Sequence, residues 1–83
     1  MQTEFEQLLL ALVKPLVNNP DDVSVSSSLD VDETIELKVL VNSDDLGRVI
    51  GKSGRIANAI RTIAYASASK ASKKVKVEFD SYE

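Results

Sequence analysis

Residues 48–56 read Arg48-Val49-Ile50-Gly51-Lys52-Ser53-Gly54-Arg55-Ile56. Val49 and Ile50 close one helical pattern and Ile56 opens another, so the two glycines bracket a corner between helices. A glycine suits the end of a helix because it accepts backbone angles that other residues resist. The first amides of the following helix have no partners inside it and lie at the positive end of its dipole. With Lys52 and Arg55 alongside, such a corner suits phosphate oxygens, and the bare glycines allow a ligand backbone to approach closely. Val49, Ile50 and Ile60 are expected to supply an apolar floor beside it. The same Gly-x-x-Gly spacing also serves a helix–turn–helix corner with no ligand. The order of the surrounding elements therefore decides.

Upstream, Phe5, Leu8, Leu9, Leu12, Val13 and Leu16 repeat at helical spacing and predict an amphipathic helix from about Glu4 to Asn18. Pro15 sits awkwardly in its last turn. Val23, Val25 and Leu29 alternate with serines, and Ile35, Leu37, Val39 and Val41 alternate with Glu36, Lys38 and Leu40. These predict two antiparallel strands joined by an exposed hairpin at Asp30–Glu33. Ser43 is placed to cap a short helix ending at Gly51, with Asp44 and Asp45 as first-turn charges. Ser53 is placed to cap a long helix from Gly54 to about Ser69. Its expected apolar stripe is Ile56, Ile60 and Ile63. Val75, Val77 and Phe79 predict a last strand.

The order is thus α-β-β-α-α-β over a single domain spanning residues 1–83. Two helices separate the second and third strands, which makes them parallel with a right-handed crossover. The expected class is α+β: a three-stranded mixed sheet with three helices on one face.

Composition narrows the chemistry. The chain has no cysteine and no histidine, which removes thiolate sites and the commonest general base. No catalytic constellation and no cofactor site is expected. No apolar run reaches the roughly 18–20 residues of a membrane span, and the start does not resemble a signal peptide. A cytoplasmic protein is the expectation. Net charge is −3, but it is unevenly placed. Through Leu46 there are ten acidic and two basic residues. From Gly47 to Val77 there are eight basic residues and no acidic one. Local potential steers a polyanion more than net charge does. Gly51-Lys52-Ser53 also matches the end of a P-loop, but the first glycine of that motif would fall at Leu46, and a helix precedes the segment where a strand is needed.

With the element order in place, Val49-Ile50-Gly51-Lys52-Ser53-Gly54 resembles the signature of KH domains of the type II arrangement, over nearly the whole chain. Lys14-Pro15-Leu16 and Gly47-Arg48-Val49-Ile50-Gly51-Lys52 resemble the KhpA family of small bacterial RNA-binding proteins. That resemblance implies binding of single-stranded RNA, about four nucleotides at a time, without catalysis. It implies a role as RNA chaperone or post-transcriptional regulator. The residues carried over are Arg48, Val49, Ile50, Gly51, Lys52, Ser53, Gly54, Arg55 and Ile60. One departure is Ala57, where many KH domains place a large aliphatic. The resemblance also implies a homodimer, or pairing with a larger KhpB/Jag-type KH protein. The small residues of the long helix, Ala57, Ala64 and Ala68 with Tyr65, are the expected dimer surface. A protein-interaction module with RNA binding secondary is the competing reading.

Overall fold

The computed structural model describes residues 3–82; the side chains of Thr3 and Lys52 lie outside that description. The elements are α1 (Thr3–Val13), β1 (Ser24–Leu29), β2 (Ile35–Val41), α2 (Leu46–Ile50), α3 (Arg55–Lys70) and β3 (Val75–Ser81). The sheet order is β1-β2-β3. β1 pairs antiparallel to β2, with Val25 opposite Val39. β2 pairs parallel to β3, with Leu37 opposite Val77 and Val39 opposite Phe79. The α+β class, the mixed sheet and the element order follow the sequence reading.

Strict alternation along β2 puts Ile35, Leu37, Val39 and Val41 on the face that the helices cover. Phe5, Leu9 and Val13 of α1 and Ala57, Ile60, Ala64 and Ala68 of α3 close over them. The opposite face carries Ser24, Ser26, Ser28, Glu36, Lys38, Lys76 and Glu78, all exposed. Ser27 faces inward beside Leu37, and its hydroxyl donates to Glu6 at 2.6 Å, which satisfies a polar group on an apolar face.

Four local features differ from the sequence reading, each for a physical reason. First, α1 stops at Val13, and Lys14–Leu16 form a single 3-10 turn. Pro15 has no amide to continue the ladder and disfavours helical geometry in the residue before it. Leu16 therefore leaves the α1 stripe and sits at the surface, 37% exposed. Second, Asn42 and not Ser43 provides the cap: its side-chain oxygen accepts from the Asp44 amide at 2.8 Å. Third, Leu29 is 60% exposed at the hairpin end of an edge strand.

The fourth difference concerns α3. Its buried stripe is Ala57, Ile60, Ala64 and Ala68, while Ile63 and Tyr65 are each 44% exposed. The alanines let the helix lie close on the sheet, and the larger Ile63 is turned outward. Ala57, Ala64 and Ala68, expected on a dimer surface, are thus core residues; of that set only Tyr65 is exposed. The helix ends in a Schellman arrangement: the Lys73 amide donates to the Ala68 carbonyl at 2.8 Å and the Ser72 amide to Ser69 at 3.0 Å, with Ser72 at φ 58.

Placement of Ala64 in the core has a direct check. Ala64→Asp buries a carboxylate with no partner, at a cost of about 3 kcal/mol or more. Chemical denaturation is expected to show a large loss of stability. An unchanged midpoint would return Ala64 to the surface.

Candidate nucleic-acid interface

The chain leaves α2 at Gly51 with φ 71 and ψ −171, a region open essentially to glycine alone. A Cβ at Gly51 would lie 2.7 Å from Cγ1 of Ile56. Ser53 and Gly54 follow in left-handed conformations, φ 55 and φ 76. Two such residues in succession turn the chain sharply enough for α3 to start at Arg55. Ser53 therefore turns the corner and does not cap α3; Gly54 stands at the cap position with no side-chain hydrogen bond. A Cβ on Gly54 would meet only Nδ2 of Asn58, at 3.9 Å, so the need for glycine there is conformational. Ser53 and Arg55 are exposed, and Gly51 and Gly54 are half-buried, so the corner lies at the surface.

Beside the corner runs an open cleft of about 610 Å³, lined by Leu16, Gly47, Arg48, Gly51, Arg55 and Ile56. Its size falls within the range of ordinary ligand pockets, roughly 300–1,000 Å³. Leu16 comes from the 3-10 turn after α1 and forms the far wall. Leu16, Ile56 and Gly47 were not among the residues picked from sequence. The first was assigned to the α1 stripe and the second to the α3 core; Pro15 was the available clue to Leu16.

Arg48, Gly51 and Arg55 were picked, and the structure brings them together. Ile50 is exposed at the end of α2 but does not line the cleft. Val49 and Ile60, expected in the groove, are instead fully buried in the core. Val49 turns inward from α2 and Ile60 belongs to the sheet-facing stripe of α3. The Lys52 side chain lies outside the described residues.

The basic run divides in space. Arg61 is used internally: Nε donates to the Val77 carbonyl at 3.0 Å, and the guanidinium lies 5.2 Å from the Phe79 ring centre. Lys70, Lys73 and Lys74 lie at the other end of α3, a 16-residue helix and therefore about 24 Å long. Among the described basic side chains, Arg48 and Arg55 are the ones that line the cleft at the corner.

Asp45, read from sequence as a first-turn charge, is wholly buried. Its carboxylate accepts from the Asn18 amide at 3.2 Å, the Asn19 amide at 3.0 Å and the Asn19 side-chain amide at 3.0 Å. Nε of Arg48 lies 3.9 Å away. Burial works to raise the carboxyl pKa. The Asn19 side chain, the two main-chain amides and Arg48 together outweigh it and hold the group below its ordinary 3.8. Asp45 thereby ties the segment after Leu16 to the start of α2, one wall of the cleft to the other. Among the described residues, no group of three or more acidic side chains is arranged to hold a metal ion.

A three-stranded mixed sheet under three helices, with a Gly-x-x-Gly corner joining the second and third, defines a KH domain of the type II arrangement. The chain belongs to the KhpA/KhpB KH-domain family, whose profile matches residues 6–79. It is 49% identical over 73 residues to the RNA-binding protein KhpA of Listeria monocytogenes, covering 88% of this chain and 95% of that one. The RNA-binding protein KhpA of Bacillus subtilis is 45% identical over 73 residues, covering 88% and 89%. That of Clostridium perfringens is 48% identical over 73 residues, covering 88% and 96%. These relatives are named for binding, not for catalysis. Among solved structures, the chain is similar in fold to Era crystallised with MgGDPNP and nucleotides 1506–1542 of 16S ribosomal RNA. The TM-score is 0.63 at 15% identity, over 93% of this chain and 29% of that one. The chain spans less than a third of Era, and the likeness concerns the fold alone.

Two measurements check the site's construction. Gly51→Ala combines a glycine-only conformation with a clash on Ile56, and is expected to cost about 3 kcal/mol or more. Gly54→Ala meets only the left-handed penalty, about 1–2 kcal/mol. Urea denaturation giving the reverse order would contradict the corner geometry. Asp45 sets the second. Its pKa is lower folded than unfolded, so its contribution is complete above about pH 4 and is lost as pH falls through the folded value. Below pH 3.8 the wild type should lose stability that Asp45→Asn does not lose. Parallel pH profiles for the two proteins would contradict the Asp45 contacts.

Proposed function

We propose that the chain binds single-stranded RNA without catalysis, as a single KH domain. The Gly51–Gly54 corner holds the sugar–phosphate backbone, and the bases enter the cleft between Leu16 and Ile56. The observation that carries this reading is the surface position of the corner: glycine-flanked, at the N-terminus of a 16-residue helix, beside Arg48 and Arg55, and continuous with an apolar cleft. The helix dipole and the cations favour phosphate, and the cleft favours the faces of bases. The names of the relatives support the same ligand. None of the four aromatic residues lines the cleft, so binding relies on backbone and aliphatic contacts and tolerates many sequences.

The RNA chaperone or post-transcriptional regulatory role belongs to the same proposal, as does a cytoplasmic location with cellular RNA. No described helix is long and apolar enough to cross a membrane. The family description names KhpA and KhpB together, which supports a larger KH partner. A second reading, self-association, is favoured by Ile63 and Tyr65, each 44% exposed on opposite flanks of the buried stripe of α3. Two weak RNA sites joined in a dimer would gain from effective concentration.

The test is fluorescence anisotropy with a short single-stranded RNA, comparing wild type with Lys52→Asp/Ser53→Asp. Aspartate tolerates the left-handed conformation at position 53, so the variant retains its fold. Affinity is expected to fall at least about tenfold, or 1.4 kcal/mol. Equal affinity for both proteins would refute the corner as the RNA clamp.

A further inference from the structure

All three glycines of the chain fall within residues 47–54. Gly51 and Gly54 are explained by positive φ, and Gly51 also by the Ile56 side chain against it. Gly47 is explained by neither. It lies inside α2, its φ is not positive, and a Cβ built on it meets nothing within 4 Å. Alanine would fit that space and favour the helix more. The protein's own packing therefore gives no reason for glycine at position 47.

What distinguishes the position is the cleft. Gly47 and Gly51 are four residues apart, so they stack on one side of α2, about 6 Å apart along its axis. Both line the cleft, and the Gly51 amide donates to the Gly47 carbonyl at 2.8 Å. Arg48 and Arg55 lie at its charged rim, and Leu16 faces them. A surface without side chains thus extends from the corner back through one turn of α2.

We infer that Gly47 is a nucleic-acid contact residue whose missing side chain admits a nucleotide against the backbone of α2. The inference rests on the RNA-binding reading above. The bound strand lies along Gly54, Gly51 and Gly47 in turn, and position 47 sets how deeply a nucleotide can enter beside Leu16. Helix stability is given up there in exchange for room.

The experiment pairs thermal unfolding with RNA anisotropy for Gly47→Ala and Gly47→Leu in the full chain. Gly47→Ala is expected to raise Tm by about 4 °C, the scale of a glycine-to-alanine gain in a domain of this size. Its affinity for a short single-stranded RNA should fall about threefold. Gly47→Leu should remain at least as stable as wild type and lose affinity about tenfold or more. The two observables thus move in opposite directions, which damage to the fold cannot produce. Wild-type affinity in Gly47→Leu would overturn the inference, as would a lower Tm in Gly47→Ala. If the loop variant loses binding while Gly47→Leu keeps it, only the role of Gly47 fails. If the loop variant also binds normally, the RNA-clamp reading has failed first.

Discussion

Between α2 and α3 the chain passes through a space barely wide enough for it. Ile56 occupies the place where a side chain on residue 51 would stand, at 2.7 Å. With no Cβ there, α2 can end directly against the first turn of α3. The left-handed pair Ser53 and Gly54 then completes the turn. This close passage places Ile56 in the cleft, sets the N-terminus of α3 at the surface, and brings Arg48 and Arg55 to the same rim. A bulkier corner would push the helices apart and separate the cations from the apolar floor.

The opposite wall depends on two other residues. Pro15 ends α1 early and releases Leu16 from the core stripe. Asp45 then fastens the chain just beyond Leu16 to the start of α2, through main-chain amides of residues 18 and 19. A buried carboxylate needs such partners, and these are supplied by a segment 26 and 27 residues away in sequence. The cleft is therefore held from both sides by polar and steric constraints, in addition to the packing of Val17, Leu46 and Ile56 on the hydrophobic core beneath it.

These features divide by how far their causes reach along the chain. The strands were legible because alternation in β2 and β3 is a local signal, and the corner because glycine spacing is local too. Chain order then gave the parallel pairing of β2 with β3. The face that α3 buries was not legible in the same way. Ile56, Ile60 and Ile63 form the natural stripe by hydrophobicity, yet close packing on the sheet selects Ala57, Ala64 and Ala68 around Ile60. The same override moves Val49 and Ile60 from groove to core. Asp45 gave no sign of burial because its partners lie in a distant segment. The basic run is continuous in sequence, but the length of α3 separates its two ends and Arg61 is committed to β3.

The most direct test of the account is amide chemical-shift mapping during titration with a short single-stranded RNA. The account predicts that the largest shifts fall at Leu16, Gly47, Arg48 and residues 51–56, with the outer face of the sheet unmoved. Shifts confined to Lys70–Lys76 or to the outer strand positions, with the corner unchanged, would contradict it.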